Sequence, residues 1–340
     1  MTIRFSRFLA AACLAAVFVS AQAWQRSPAT TFATLPAGAT NPEGITADAH
    51  GNIYVTTFAL GGTSSGVGQM FVFGPHGQLL RQIDIAGSTT FLLDLAFHPT
   101  TGALLVIDFG AQKILRVDPS SGASNVFATI PGGANAGPNV LTFDDAGNVY
   151  ISDSFQGKIW RTGPQGGAVA EWVASPLLAT SGVPPFGANG LAFNRNRSAL
   201  FVANTGNDTV VRIPVLAGGA AGTPEVFVNS INGADGLIID ESDNLWVAAN
   251  QADEIVVVDP SGRVIAKLGD FNGLDPHGSP RGLLFPASLV RHGEFLFVTN
   301  LALDLRLFGL AQPVDAQWAA DVKRHTVARI RARVPGVQGD

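Results

Sequence analysis

One short unit, GADGLIIDESDNLWVAAN from Gly233 to Asn250, recurs along the chain and constrains its fold more than any other feature. A turn of small residues carrying one acidic side chain, Asp235, leads into an apolar strand over Leu237 to Ile239. A tight polar turn, Asp240 to Asn244, then feeds a second apolar strand from Leu245 to Ala249. Two apolar runs joined by so short a polar turn spell a β-hairpin. The pattern returns in segments that begin at Asn41, Leu92, Gly137 and Gly187, and more loosely at Phe285. Aligned on the residue just before each first strand, the six copies make Glu43, Leu93, Asn139, Asn189, Asp235 and Ala287 equivalent, at spacings of 46 to 52 residues. Short strands repeating with that period predict an all-β, six-bladed β-propeller, four strands per blade around a central channel.

Repeats that run almost end to end argue for one domain over residues 24–340 rather than two. The first segment to be accounted for is TTFATLPAG, from Thr30, which is similar to NVFATIPGG (from Asn125) and less so to EVFVNSING (from Glu225). Those two occupy the fourth strand of their own repeats. With no earlier blade to complete, the N-terminal copy is expected to supply the outer strand of the last blade, beside the C-terminal TVARIRARV. Such closure removes a free sheet edge. Blade six departs from the pattern through an insertion, Leu301 to His325, in which AQWAADVKRH predicts a short helix. Polar turns such as Asp144 to Asn148 superficially resemble calcium loops. They recur at the hairpin position in nearly every blade and lack the twelfth-position Glu of an EF-hand, so they read as turns.

Charged residues make up only 14% of the chain and hydrophobic ones 46%, a balance that suits many buried strands. Before the repeats, Arg4 and Arg7 precede an apolar run, Phe8 to Val19, and an Ala21-Gln22-Ala23 site, which together read as a secretory signal over residues 1–23. A secreted or periplasmic location is therefore expected. Cys13 also allows a lipoprotein reading, against which stand the position of Leu9 and the apolar run beyond the cysteine. Removing the leader would take away the one cysteine, hence any disulfide, and move the formal charge from −5 to −7. So acidic a surface repels phosphate backbones, which excludes nucleic acid as a partner. The basic end, Lys323 to Arg333, alternates Val327, Ile330 and Val334 with arginines and reads as a solvated strand face. No membrane association is expected once the signal is cleaved. The expected partner is a small-molecule substrate, bound by a monomer.

Propeller geometry brings the starts of all inner strands to one mouth of the channel. Of the six equivalent residues, Glu43, Asn139, Asn189 and Asp235 are oxygen donors, whereas Leu93 and Ala287 are apolar. Two carboxylates and two amide carbonyls suit a hard divalent cation, with positions left for water or substrate. Without a cation the carboxylates would repel one another, raising a pKa at the expense of stability. The alternative is that these are turn-capping residues, for which Asn and Asp are common. That accounts for three of them singly, but not for Glu43 or for their convergence.

The hairpins PEGITADAHGNIYV, PNVLTFDDAGNVYI, ANGLAFNRNRSALFV and ADGLIIDESDNLWVAAN resemble those of the senescence marker protein (regucalcin) and gluconolactonase family, six-bladed propellers that include sugar lactonases. Related diisopropyl fluorophosphatases and paraoxonases are similar too. The resemblance implies a divalent metal, Ca2+ first with Zn2+, Mn2+ or Mg2+ as alternatives, held by Glu43, Asn139, Asn189 and Asp235. It implies Asp235 as general base or nucleophile, in a metal-dependent hydrolase of a lactone or related ester. The alternative is a non-catalytic propeller that binds a protein or carbohydrate and keeps a structural metal. No G-x-S-x-G, H-E-x-x-H or P-loop pattern offers another chemistry. His50, His76, His98 and His292 lie in or next to hairpin turns and are expected to be solvent-exposed.

Loops after the second strands share the metal's face. About sixteen residues beyond each ring position stand Phe58, Phe109, Phe155, Thr205 and Gln251. Loops that enter the inner strands add Phe91, Leu92, Leu93, Phe186 and Phe285. The expected substrate pocket, with Phe58, Leu93, Phe109, Phe155, Phe186 and Gln251, is therefore largely apolar. If instead these phenylalanines pack between blades, the rim carries no such meaning.

Overall fold

The computed structural model describes residues 27–60, 66–310 and 316–334. The expected signal at 1–23 and Cys13 lie outside the described residues. Six four-stranded antiparallel sheets surround one axis. Five are continuous in sequence: Pro42–Ala47 to Leu79–Asp84, Leu92–Phe97 to Ser124–Thr129, Pro138–Phe143 to Ala170–Ala174, Ala188–Phe193 to Glu225–Asn229, and Ala234–Ile239 to Val264–Leu268. The sixth takes Pro286–His292, Phe295–Asn300 and Thr326–Arg331 from the end of the chain and Thr30–Thr34 from the beginning.

Closure follows the sequence reading. Thr30 pairs with Arg329 and Thr34 with Thr326, and the Leu35 N–H bonds the His325 carbonyl at 2.9 Å. Phe32 and Leu35 are thereby buried with Phe297 and Val327 of blade six against Ile53, Val55, Phe71 and Phe73 of blade one. Each large apolar side chain removed from water in such a seam contributes roughly 1.5–3 kcal/mol, so the ends of the chain are joined by packing as well as by the ladder.

Second strands such as Ile53–Thr57, Leu104–Asp108 and Leu245–Ala249 are buried along their whole length. A strand covered on both faces reads as a continuous apolar run, not an alternating one. Outer strands such as Leu79–Asp84 are mostly exposed. In blades one, three and five the hairpin turn repeats a device built on its first Asp. Asp240 Oδ1 accepts the N–H groups of Ser242 and Asn244, each at 2.9 Å, while Oδ2 accepts Asn244 Nδ2 and Trp246 Nε1, also at 2.9 Å. Asp48 and Asp144 do the same with Asn52 and Tyr54, and with Asn148 and Tyr150. These turns are satisfied within themselves, in keeping with their reading as turns.

His98 corrects the expectation of exposed histidines: it is buried, whereas His50, His76 and His292 are exposed. Its Nε2 lies 2.9 Å from the Gly147 carbonyl oxygen and its ring packs 5.0 Å from Phe143. Blade two's turn is one residue longer than blade three's, which lets the imidazole reach across to the neighbouring turn. Two features complete blade six. The helix Ala316–Asp321 falls where a helix was expected, and a small hairpin, Phe271–Leu274 with Pro280–Gly282, precedes the blade. Trp318 of the helix packs edge-on to Phe271 of that hairpin at 5.7 Å. Among the described residues, no helix is long and apolar enough to cross a membrane.

Candidate functional site in the upper channel

Every inner strand opens with the same irregularity. In blade one Pro42 pairs with Thr57 and Ile45 with Val55, so that Glu43 and Gly44 together face Thr56. The equivalent two-residue bulges are Leu93–Asp94, Asn139–Val140, Asn189–Gly190, Asp235–Gly236 and Ala287–Ser288. Alignment alone places the first member of each pair just before its strand; the structure puts it second in the strand, on the bulge. A bulge breaks alternation and re-aims the side chain it carries. Neighbouring bulges also crowd one another: a Cβ on Gly44, Gly190 or Gly236 would strike the carbonyl oxygen of Leu93, Asp235 or Ala287 of the next blade.

A second ring of residues stands just past the second strands: Phe58, Phe109, Ser154, Thr205, Asn250 and Leu301. In three consecutive blades it holds the donor of its own blade. Asn139 Nδ2 donates to Ser154 Oγ at 3.0 Å, Asn189 Nδ2 to Thr205 Oγ1 at 2.9 Å, and Asn250 Nδ2 to Asp235 Oδ2 at 3.0 Å. The Ser154 and Thr205 hydroxyls donate to the carbonyls of Ala188 and Ala234 in the following blades, at 2.7 and 2.8 Å. A hydroxyl that has given its proton away can only accept from the amide, so each asparagine must turn its Nδ2 towards the hydroxyl and its Oδ1 away from it.

The consequence is a cluster of bare oxygens. Among the described residues, the buried side-chain polar atoms without a hydrogen-bond partner are Glu43 Oε2, Asn139 Oδ1, Asn189 Oδ1, Asp235 Oδ1, Asn250 Oδ1, Arg116 Nε and His325 Nδ1. All five oxygens belong to residues lining one cavity. Buried acceptors are nearly always paired in folded proteins, so five orphans at one place require something to fill them. Burial drives the Glu43 carboxyl well above its usual value, and nearby Asp235 and then Asp94 push it further. Burial likewise raises Asp235 to about 7, against the pull of its hydrogen bond from Asn250. The donor set, all hard oxygen with two carboxylates, fits a divalent cation of the calcium type. Zinc fits less well, because among the described residues no His or Cys lines the cavity.

The cavity is otherwise walled by Phe58, Leu93, Pro184, Phe186, Thr205, Phe285, Leu301 and Leu303. Of the residues expected in a substrate pocket, Phe58, Leu93 and Phe186 line it. Phe109 stands behind them, 5.5 Å from Phe58 and 6.2 Å from Phe186. Phe155 and Gln251 fall outside the lining. Phe155 is 46% exposed at the rim, and Gln251 Nε2 bonds the Val183 carbonyl at 2.9 Å. Both positions rest on a sixteen-residue offset, which holds for blades two and four, where six residues separate the paired strand ends. Blades three and five have five, so the equivalent residues are Ser154 and Asn250. The register was legible in the turn lengths, DDAGN and DESDN against HPTTGA and NRNRSA.

Below the ring the channel widens again into an apolar chamber that contains Asp94. Asp94 Oδ2 accepts the Leu141 N–H at 3.0 Å, and burial raises its carboxyl to about 7 despite that bond and another from Leu95.

Fold and site together define a six-bladed propeller with an oxygen-lined site in the mouth of its channel. Residues 111–269 match the family described as SMP-30/Gluconolactonase/LRE-like region, which bears out the resemblance read from the hairpins. No curated protein matches the chain by sequence. Among solved structures, a luciferin-regenerating enzyme is 17% identical with a TM-score of 0.64, covering 89% of this chain and 94% of its own. A calcium-binding regucalcin from Agrobacterium tumefaciens is 15% identical with a TM-score of 0.61, over 89% of this chain and 94% of its own. A gluconolactonase from Xanthomonas campestris is 17% identical with a TM-score of 0.59, over 78% and 85%. Likeness at that level of identity establishes the fold, and a fold hosts many reactions.

Proposed function

We propose that the protein is an exported, divalent-metal-dependent hydrolase of a lactone or related ester. Glu43, Asn139, Asn189 and Asp235 would hold the cation, Ca2+ above all, with Asn250 beside them. The observation that carries this reading is the set of five unpaired, buried oxygens around one open cavity. The matched family and the calcium-binding and lactonase relatives support it. A cation bound there would supply Lewis-acid polarisation of the scissile carbonyl.

The chain's own residues do the rest. Glu43 and Asp235 supply the negative charge that a divalent ion needs, and the amides complete the set without adding more. Asn250 holds Asp235 by Oδ2, which leaves Oδ1 facing the cavity. Asp235 then acts as general base and takes the proton of the attacking water. Burial raises its carboxyl to about 7; a cation held beside it would draw that value down again, leaving Asp235 ionised at neutral pH and able to accept. The apolar walls exclude bulk water, which strengthens each of these interactions.

The deciding experiment is metal content after purification, followed by hydrolysis of a lactone, aryl ester and phosphotriester panel with and without chelator. Hydrolysis lost on chelation and restored by Ca2+ is expected. A tightly held metal with no hydrolysis across the panel would sink the enzyme reading and leave a structural metal.

A further inference from the structure

We infer that the substrate is an uncharged ester or lactone bearing an apolar arm, and that Leu93, at the ring position of blade two, is one of the residues that set this specificity. The inference rests on the hydrolase reading only for the word ester; the apolar arm rests on the cavity alone.

The two rings divide the mouth into unlike halves. In blades three, four and five the pairs are Asn139 with Ser154, Asn189 with Thr205, and Asp235 with Asn250, all polar and tied to one another. In blade two the same two places hold Leu93 and Phe109, and in blade six Ala287 and Leu301. Blade one keeps Glu43 but sets Phe58 beside it. An ester matches this division: its carbonyl lies over the polar half, and whatever it carries lies over blades six, one and two.

That second half is apolar beyond the first layer. Phe58 packs 5.3 Å from Phe91 and 5.5 Å from Phe109; across the mouth, Phe186 meets Phe308 of the blade-six insertion at 5.9 Å. These rings pack on one another and present hydrocarbon to the mouth.

What the cavity lacks decides between substrate classes. Among the described residues no Arg, Lys or His lines it, and the two carboxylates just balance a divalent ion, so a carboxylate or phosphate substrate would meet no surplus positive charge. A polyol fares no better. The amides of Asn139, Asn189 and Asn250 and the Thr205 hydroxyl already donate to protein acceptors. The unpaired acceptors are those that would hold the cation, so sugar hydroxyls laid over blades six, one and two would be stripped of water against phenyl and isobutyl groups.

The test uses the full chain with Ca2+ and, separately, with EDTA, and reads binding of two lactams, in which a ring N–H replaces the lactone's ring oxygen and slows hydrolysis. One is a six-membered lactam with a pentyl substituent, the other the six-membered lactam that corresponds to gluconolactone. Each buried methylene is worth about fourfold in affinity, so calorimetry is expected to show the pentyl lactam binding at least ~100-fold tighter. Leu93→Asn, which restores at blade two the donor type of blades three and four, is expected to cut that preference at least ~10-fold. Leu301→Gln, on the other side of the apolar half, gives the same readout should Leu93→Asn fail to fold. Equal or tighter binding of the polyhydroxylated lactam, or no binding of the pentyl one, overturns the inference even if a sugar lactone is hydrolysed. Tight binding of the pentyl lactam without hydrolysis of its lactone leaves the inference standing and overturns the hydrolase reading instead.

Discussion

The two ends of the inner hairpins are built from the same residue types, Asp, Asn and Glu, and use them in opposite ways. At the turn end of blades one, three and five, Asp48, Asp144 and Asp240 meet N–H and O–H donors at both carboxylate oxygens. At the mouth, Glu43, Asn139, Asn189 and Asp235 each keep one buried oxygen with no partner. Titration follows the hydrogen bonds. Burial opposes the Asp240 charge, but donation from Asn244, Trp246 and Ser242 outweighs it and lowers the carboxyl's pKa; at Asp235 burial wins and raises it to about 7. Satisfied carboxylates stabilise a fold, whereas orphaned ones sacrifice stability to keep a site open for a ligand.

That contrast is broken most sharply at Asp235. Asp235→Asn keeps an oxygen for the metal but cannot take a proton at neutral pH, so kcat on a responsive lactone is expected to fall ~10²–10⁴-fold. With metal chelated its Tm should match or exceed that of the parent at alkaline pH, because a buried, unpaired charge is gone. Activity within a few-fold of the parent would remove Asp235 from the base's role. For Glu43→Gln the loss is expected in metal affinity, ~10–100-fold in Kd by calorimetry, through removal of one ligand charge; an unchanged Kd would show that Glu43 is not a ligand.

The turn end should answer in the other currency. Asp240→Ala leaves the buried Trp246 indole N–H without its acceptor, and is expected to lower unfolding free energy by ~1–3 kcal/mol with the metal Kd unmoved. A change in metal affinity would mean the two ends are coupled.

The smallest effect is also the most diagnostic, since the two ends have opposite pH dependence. Asp235, raised to about 7 in the folded chain, favours folding below the ordinary carboxylate range and loses that contribution as pH climbs from ~4 to about 7, and Glu43, raised by the same burial, acts in the same direction. Asp48 and Asp240, lowered when folded, contribute above the ordinary range and lose it as pH falls towards their folded values. Chelated protein is therefore expected to lose Tm between pH 5 and pH 8, roughly, and added Ca2+ to restore more of it at the upper end, where no proton must be displaced. A calcium-induced rise in Tm that shrinks with pH would contradict this account.

Much of the fold was legible because hairpin repeats carry their own punctuation. The spacing of Glu43, Asn139, Asn189 and Asp235 named the blades, and the likeness of TTFATLPAG to NVFATIPGG named the closing strand. The hairpin Phe271–Leu274 with Pro280–Gly282 was missed because it breaks the period, although Asn272-Gly273 and the Asp275 to Gly278 turn marked it. His98 was misread because turns are usually solvated; its burial depends on which neighbouring turn lies within reach.

From the sequence alone came the number of blades, the identities of the ring residues and the closure of the chain, since all three depend on local periodicity and pattern matching. Only the tertiary structure decided which way those residues point. Ser154, Thr205 and Asn250 lie fifteen or sixteen residues from the donors they hold, and a change of one residue in turn length moves a side chain such as Phe155 from the ring to the rim. The amide oxygens of Asn139 and Asn189 are orphaned because the proton of the hydroxyl beside each is claimed by the next blade, as Thr205's is by Ala234. That claim is made across the gap between sheets, where local sequence holds no information about the neighbour.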